Sequence, residues 1–153
     1  MALLKAARTA QYVSAAEFSF TIGDTMVNTS GASDAFASVA AHVFDIINLP
    51  PGATILAGEV VTDTAFVGST AYNVKVGDSV SDTKYLGTTD KTTAARTALV
   101  PTGYIGLGEN LRLTVTPTVA PATAATFGSG IFGEENNPIK LLGFHRTHPR
   151  AHA

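Results

Sequence analysis

VFDIINLPPGATILAGEVVTDTAF, residues 43–66, reads as an apolar strand, a tight turn and a second, longer apolar strand. In Val43–Leu49 the period-2 alternation puts Phe44 and Ile46 on one face. Val43, Asp45 and Ile47 fall on the other. Both faces are largely apolar, which predicts a central strand covered on both sides. Pro50 and Pro51 have no backbone N–H to give a ladder, so the strand must stop there. Ala53–Phe66 is long enough to bend, and Gly58 is the natural place for a kink or bulge. Leu56, Val60 and Phe66 would share one face of it, and Ile55, Val61 and Ala65 the other.

The same grammar extends outward. Glu17–Ile22 alternates, with Phe18, Phe20 and Ile22 on one side. Gly23-Asp24 is a turn, Met26-Val27 the start of a short strand, and residues 28–34 a loop by composition. Ala35–His42 has two readings. Ser33 would cap a helix whose face is Phe36, Val39, Ala40 and Val43, or the segment is an irregular lead into the next strand. Its shortness and its β surroundings favour the irregular lead. Tyr72, Val74 and Val76 alternate with polar residues and form the cleanest amphipathic strand. Gly77–Lys84 reads as a loop, Tyr85-Leu86 as a brief apolar return, and Gly87–Arg96 as another loop. Ala98–Val100 leads to a Pro101-Thr102-Gly103 turn. Leu111, Leu113 and Val115 then mark a strand that Pro117 ends. Phe127–Phe132 suits a last strand, and Ile139–Phe144 a segment that packs back.

These runs amount to about eight short strands at roughly 8–15-residue spacing, the pattern of an antiparallel sandwich or barrel. No long helix survives, so a βαβ architecture is excluded. The expected fold is all-β and antiparallel, a sandwich, jelly roll or barrel. Its expected core is Phe18, Phe20, Phe44, Ile46, Leu56, Val60, Tyr72, Val74, Val76, Leu111, Leu113 and Val115. Residues 1–15 form the arm, 16–144 the sandwich domain, and 145–153 a basic, His-rich tail.

Composition narrows the function. The 153 residues fit one domain with a sizeable core. Hydrophobic residues make up 45% and charged residues 14%, too apolar for disorder and lightly charged for a lone soluble monomer. Such a surface suits a subunit that partners cover. The net charge of −2 gives no global field for nucleic acid. There is no Cys, hence no disulfide framework and no thiolate metal site. Lys5, Arg8 and Gln11 interrupt every apolar run near the start, so no signal peptide is expected. Asn28-Thr29-Ser30 is then a chance glycosylation match. No window has the roughly 18 apolar residues of a membrane span.

Motifs for chemistry are weak. Gly128-Ser129-Gly130-Ile131-Phe132-Gly133 matches G-x-G-x-x-G, but Glu134-Glu135-Asn136-Asn137-Pro138 is no crossover helix. A Gly-rich strand is the better reading, and no cofactor is expected. His145, His148 and His152 sit in a Pro-containing tail without the rigid backbone that a metal site needs. Asp78 and Asp82 lack the ligand series of a calcium loop. No catalytic residues are assigned, because no nucleophile elbow, triad order or paired-carboxylate cleft stands out.

Phe18-Ser19-Phe20, Asp24-Thr25-Met26-Val27-Asn28 and the 43–66 stretch together resemble small capsid-decoration (cement) proteins of tailed bacteriophages. VKVGDS (74–79), TKYLGTT (83–89) and RTALVPTGY (96–104) fit the same likeness, which covers about residues 16–118. The Gly-rich 128–133 stretch and the His/Arg tail depart from it. The resemblance implies an all-β, antiparallel, jelly-roll-like β-sandwich of about eight strands with an extended N-terminal arm, which trimerises on the outer capsid surface and stabilises the shell. The implied partners are the major capsid protein and the chain itself, with no nucleic acid and no membrane. The implied location is the virion surface, after assembly in the host cytoplasm. Leu3, Leu4, Lys5, Arg8 and Tyr12 of the arm are the first candidates for the capsid contact. Asp78, Asp82, Lys84, Lys91 and Arg96 in the 77–96 loops are the second. Two other classes compete. A fibre or tail module binding a host glycan would want clustered exposed aromatics, yet Trp is absent and Tyr12, Tyr72, Tyr85 and Tyr104 are scattered. A small hydrolase would want a pocket where His and acidic groups converge.

Overall fold

A computed structural model describes residues 15–121, 130–131 and 144–146. Among them there is no helix. The strands in chain order are β1 (Phe18–Ser19), β2 (Thr25–Val27), β3 (Ser33–Ala35), β4 (His42–Asn48), β5 (Ala53–Ile55), β6 (Glu59–Thr62), β7 (Tyr72–Gly77), β8 (Leu86–Asp90), β9 (Ala95–Ala98), β10 (Asn110–Pro117), β11 (Gly130–Ile131) and β12 (Phe144–Arg146). One sheet has the order β4-β10-β7-β8 and a second the order β1-β11-β6-β9. β2 pairs with β3, and β5 with β12. Every pairing is antiparallel. The chain is an all-β antiparallel sandwich.

The core follows from alternation on the long strands. Leu111, Leu113 and Val115 of β10 are buried between Phe44 on one neighbour and Val74 and Val76 on the other. Val60 and Val61 are buried from the second sheet. Aromatic rings bind the layers together. Phe20 stacks on Phe36 at 4.2 Å, Phe36 lies 4.5 Å from Phe44, and Phe66 stacks on Tyr72 at 3.8 Å. The Tyr72 hydroxyl, buried among them, donates to the Phe36 carbonyl at 2.9 Å, so its polar end is satisfied.

The 43–66 stretch departs from its expected form in three ways. First, β4 is an edge strand and β10 is the interior one. The apolar character of β4 reflects local cover: the Thr29 N–H bonds the Val43 carbonyl at 2.9 Å, and Phe36 packs on Phe44. Second, Phe44 and Ile47 are the buried pair, with Ile46 only half-buried. The register runs Leu111↔Ile47 and then Arg112↔Asp45, so Ile46 is the extra residue of a β-bulge that resets the alternation. Third, residues 53–66 are two short strands in different sheets. The Gly58 carbonyl accepts from the Leu99 N–H where the chain crosses over. Leu56 falls in that crossing and is 46% exposed, so it is not a core residue.

Elsewhere, Phe18 is half-buried against the core, and residues 28–32 cap a real β2–β3 hairpin. Residues 36–41 are irregular between β3 and β4. Residues 87–96, expected as a loop, carry most of β8 and the start of β9. The strand number exceeds about eight because pairings of two or three residues are too short for alternation to reveal. β12 carries strand pairing to Arg146, and β11 places Gly130-Ile131 between β1 and β6. Leu3, Leu4, Lys5, Arg8 and Tyr12 lie outside the described residues, as does the tail beyond Arg146.

Candidate functional site

The long strands define two poles. Asn48, Gly77 and Asn110 lie at one, with Pro50-Pro51-Gly52; this is the proline pole. His42, Tyr72 and Pro117 lie at the other, the histidine pole.

At the proline pole three loops are joined. Pro50-Pro51-Gly52-Ala53 is a type II turn: the Ala53 N–H bonds the Pro50 carbonyl at 3.0 Å, and Gly52 has φ 81°, which glycine adopts without strain. The Gly52 N–H then bonds the Gly106 carbonyl at 2.7 Å, and the Gly106 N–H bonds the Ala53 carbonyl at 2.8 Å. The second loop, 78–85, is built on Asp78. Its Oδ1 accepts the Val80 and Ser81 N–H groups, each at 2.9 Å, and its Oδ2 pairs with Lys84. Burial pushes the Asp78 carboxyl up. The hydrogen bond from Lys84, the two backbone N–H groups and the Lys84 charge outweigh this and hold it below the usual carboxylate range.

Lys84 Nζ also lies 3.2 Å from the centre of the Tyr104 ring, a cation–π contact with the third loop. The Tyr104 hydroxyl donates to Glu109 at 2.7 Å, and the other Glu109 oxygen accepts the Leu107 N–H at 2.6 Å. The bond from Tyr104 is the main reason why the Glu109 carboxyl is depressed, and the same bond raises the Tyr104 phenol. Tyr85, buried beneath, is pushed up to about 12, chiefly by desolvation and then by the negative charge of Asp78. The polar groups of this pole are committed to one another. Nothing in the arrangement pairs a nucleophile with a base. What it does is hold loop tips rigidly, and those tips carry exposed apolar side chains: Val80 at 79%, Ile105 at 57% and Leu107 at 82%.

The histidine pole is held by side-chain bonds as well. Asp34 Oδ2 meets His42 Nδ1 at 2.8 Å and also pairs with Asn28. Thr118 Oγ1 lies 2.8 Å from Thr70 Oγ1 and accepts the Ala71 N–H at 2.9 Å. Asp90 accepts the Tyr72 N–H at 2.9 Å. Lys91 is fully buried, and among the described residues its amine bonds Thr97 Oγ1. Desolvation lowers its pKa, with Asp90 opposing.

The five candidates at 77–96 are thus divided. Asp78 and Lys84 stand at the proline pole as a pair, and Asp82 bonds Lys75 at 2.8 Å. Lys91 lies toward the opposite pole, and Arg96 on β9 bonds Glu59 at 3.0 Å. Asp78 and Lys91 are buried, so they cannot serve as surface contacts of this chain. Their roles are to shape a loop and to fill the junction of β8 and β9. Sequence reading missed Val80, Ile105 and Leu107. The signal was present: single apolar residues in glycine-rich or polar loops (GDSVSD, GYIGLGEN), where no strand alternation explains them. Among the described residues no three His, Asp or Glu side chains gather as metal ligands. Within the G-x-G-x-x-G match, Gly130-Ile131 form strand β11.

No family model matches the chain, and no curated protein does. A solved structure titled "Cyanophage Pam1 capsid asymmetric unit" contains a chain of the same fold. It has a TM-score of 0.58 and 17% identity, over 95% of this chain and 94% of that one.

Proposed function

We propose that this chain is a structural virion protein, a decoration or cement protein that binds the outer surface of an assembled phage capsid as a homotrimer and stabilises it. The observation that carries the reading is the end-to-end fold likeness to a chain of a cyanophage capsid asymmetric unit. The sequence resemblance over about residues 16–118 points the same way. The partners are the major capsid protein and two further copies of the chain, with no nucleic acid, membrane or cofactor. The place is the virion surface, after assembly in the host cytoplasm. The chain carries out no catalysis.

The physics suits the role. A stiff sandwich offers lightly charged faces for burial between subunits. Three copies add weak contacts by avidity. A protein that binds only the assembled shell raises the cost of taking it apart. Arm residues Leu3, Leu4, Lys5, Arg8 and Tyr12 are contact candidates, as are Asp82, Lys84 and Arg96. The test is co-sedimentation with empty shells of the co-encoded capsid protein, with light scattering of the free protein. Trimers that bind shells, and lose binding when residues 1–15 are deleted, support the proposal. A monomer that ignores shells overturns it.

A further inference from the structure

We infer that the buried end of the β8–β9 seam binds one small monovalent anion of the chloride class, held by Lys91, Thr97 and Thr62. The inference is independent of what the chain docks on.

Two observations meet there. The first is a buried cation. Lys91 opens the link from β8 in one sheet to β9 in the other. Its backbone N–H bonds the Tyr72 carbonyl at 2.9 Å and so prolongs the β7–β8 pairing, while its amine crosses to Thr97 on β9. The side chain is fully buried. An ammonium has three N–H donors, and Thr97 Oγ1 takes one of them. The nearby carboxylates are engaged elsewhere. Asp90 Oδ1 accepts the Tyr72 and Thr92 N–H groups, and its Oδ2 accepts the Thr92 hydroxyl. Glu59 pairs with Arg96, and Asp63 is exposed. A charge taken out of water needs a counter-charge; without one, desolvation favours the neutral amine.

The second is a buried hydroxyl. Thr62 is 2% exposed, and its Oγ1 has no hydrogen-bond partner among the described residues. Val60 is opposite Thr97 in the β6–β9 pairing, and alternation puts Thr62 on the same face as Val60. Thr62 is opposite Ala95, so it stands diagonal to Thr97, at about 7–8 Å. That is too far for a direct bond and close enough for one ion to bridge.

The three side chains supply donors in excess: two N–H groups of Lys91 and the hydroxyls of Thr97 and Thr62. The ammonium repels a cation. A water would accept the bonds but leave the charge standing. One positive charge matches a monovalent ion rather than phosphate. An ion so placed clamps the two sheets together where β8 passes into β9.

The test is thermal melting of the full chain at fixed protein concentration, with sodium gluconate replaced stepwise by sodium chloride at constant ionic strength. Chloride at about ten times its Kd multiplies the folded-to-unfolded ratio about elevenfold, which raises the wild-type midpoint by about 3–6 °C for a chain of this length. Lys91→Met should melt higher than the wild type without chloride and show no rise with it. Thr62→Val keeps the shape but loses the donor, and should need at least about tenfold more chloride for the same rise. In crystals, bromide should give its anomalous signal beside Lys91 Nζ. A wild-type midpoint that ignores chloride overturns the inference and leaves a water, or a carboxylate from elsewhere in the chain, as the partner of the amine. Equal rises in the wild type and both variants overturn it too. So does bromide at the site without any rise in solution, which is an adventitious ion only. If Lys91→Met does not fold, the comparison with Thr62→Val decides.

Discussion

Gly77→Ala is the sharpest perturbation that the structure offers. Gly77 ends β7 and opens the 78–85 loop, and its φ is outside the left-handed region, so alanine meets no backbone penalty there. The obstacle is space. A Cβ on Gly77 would lie 2.0 Å from the Ser81 carbonyl oxygen, 2.5 Å from the Asp82 carbonyl carbon and 2.7 Å from its Cα. All three are backbone atoms, so no side chain can swing away. To reach even 3.0 Å the loop must retreat by about 1 Å, since the Ser81 oxygen starts at 2.0 Å. That same oxygen accepts the Asp78 N–H at 2.9 Å, and the Ser81 N–H bonds the Asp78 carboxylate. Overpacking of this kind costs about 1–3 kcal/mol. Losing one bond to a buried carboxylate adds roughly 1.5–3 kcal/mol. The sum is about 3–6 kcal/mol, a large part of the 5–15 kcal/mol typical of a whole domain. Urea denaturation at several protein concentrations measures it free of assembly effects. Gly87→Ala is the control, because nothing lies within 4 Å of its Cβ position; it should stay within about 0.5 kcal/mol of wild type. A Gly77→Ala protein that loses less than about 1 kcal/mol would refute the reasoning about the loop.

Three further outcomes are expected. Lys91→Met should raise stability at neutral pH by about 1–2 kcal/mol, because it removes a buried ammonium that has no carboxylate partner at hydrogen-bond distance among the described residues. The folded pKa of Lys91 lies below its unfolded value, so the unfolded chain binds more protons between the two. Wild-type stability should therefore gain from Lys91 as pH rises toward about 10.4, and melting curves of the variant should lack that gain. For Asp78 the depressed folded pKa gives a contribution fully present above about pH 4 and lost as pH falls through the folded value. Asp78→Asn should flatten that acid limb and cost about 1–3 kcal/mol at pH 7 in denaturant titrations. Leu113→Ala, at a 1% exposed site, should cost about 2–5 kcal/mol by calorimetry, while Leu56→Ala at the sheet crossing should cost under about 1 kcal/mol.

The parts of the fold that were legible are those in which one strand buries one face for several residues. Tyr72, Val74 and Val76 alternate without interruption, and so do Leu111, Leu113 and Val115; all six are buried. The turn at Pro50–Gly52 was legible for a different reason, since missing N–H groups and a positive φ are properties of single residues. Three kinds of feature were hidden. The bulge at Ile46 depends on the register against Leu111 and Arg112, which lie more than 60 positions away. The crossing at Leu56–Gly58 depends on which sheet offers a partner, and a continuous apolar run cannot say. The sequence 87–96 is Thr-rich and nearly without large apolar residues, so strands whose residues are mostly exposed looked like a loop. Loop composition pointed to 77–96, but burial of Asp78 and Lys91 is a property of the packed state.

How the sheet edges are managed bears on how this chain associates. Open edges invite strand-to-strand pairing, which gives filaments rather than closed assemblies. Here the β4 edge is met by the Thr29 N–H on the Val43 carbonyl. β8 and β9, the end strands of the two sheets, approach each other where the Val100 N–H bonds the Tyr85 carbonyl, and the buried Lys91 fills the far end of that seam. Glu59 and Arg96 add an ion pair beside β9. These devices occupy polar groups on the sides of the sandwich and leave exposed apolar side chains at both ends, Val80, Ile105 and Leu107 at one pole and Val39, Val67 and Val119 at the other. Contacts made through loop tips at a pole fix one orientation on a surface and do not propagate. Under the proposed decoration role, such a sandwich sits on a lattice built by other subunits rather than building one by pairing its own edges.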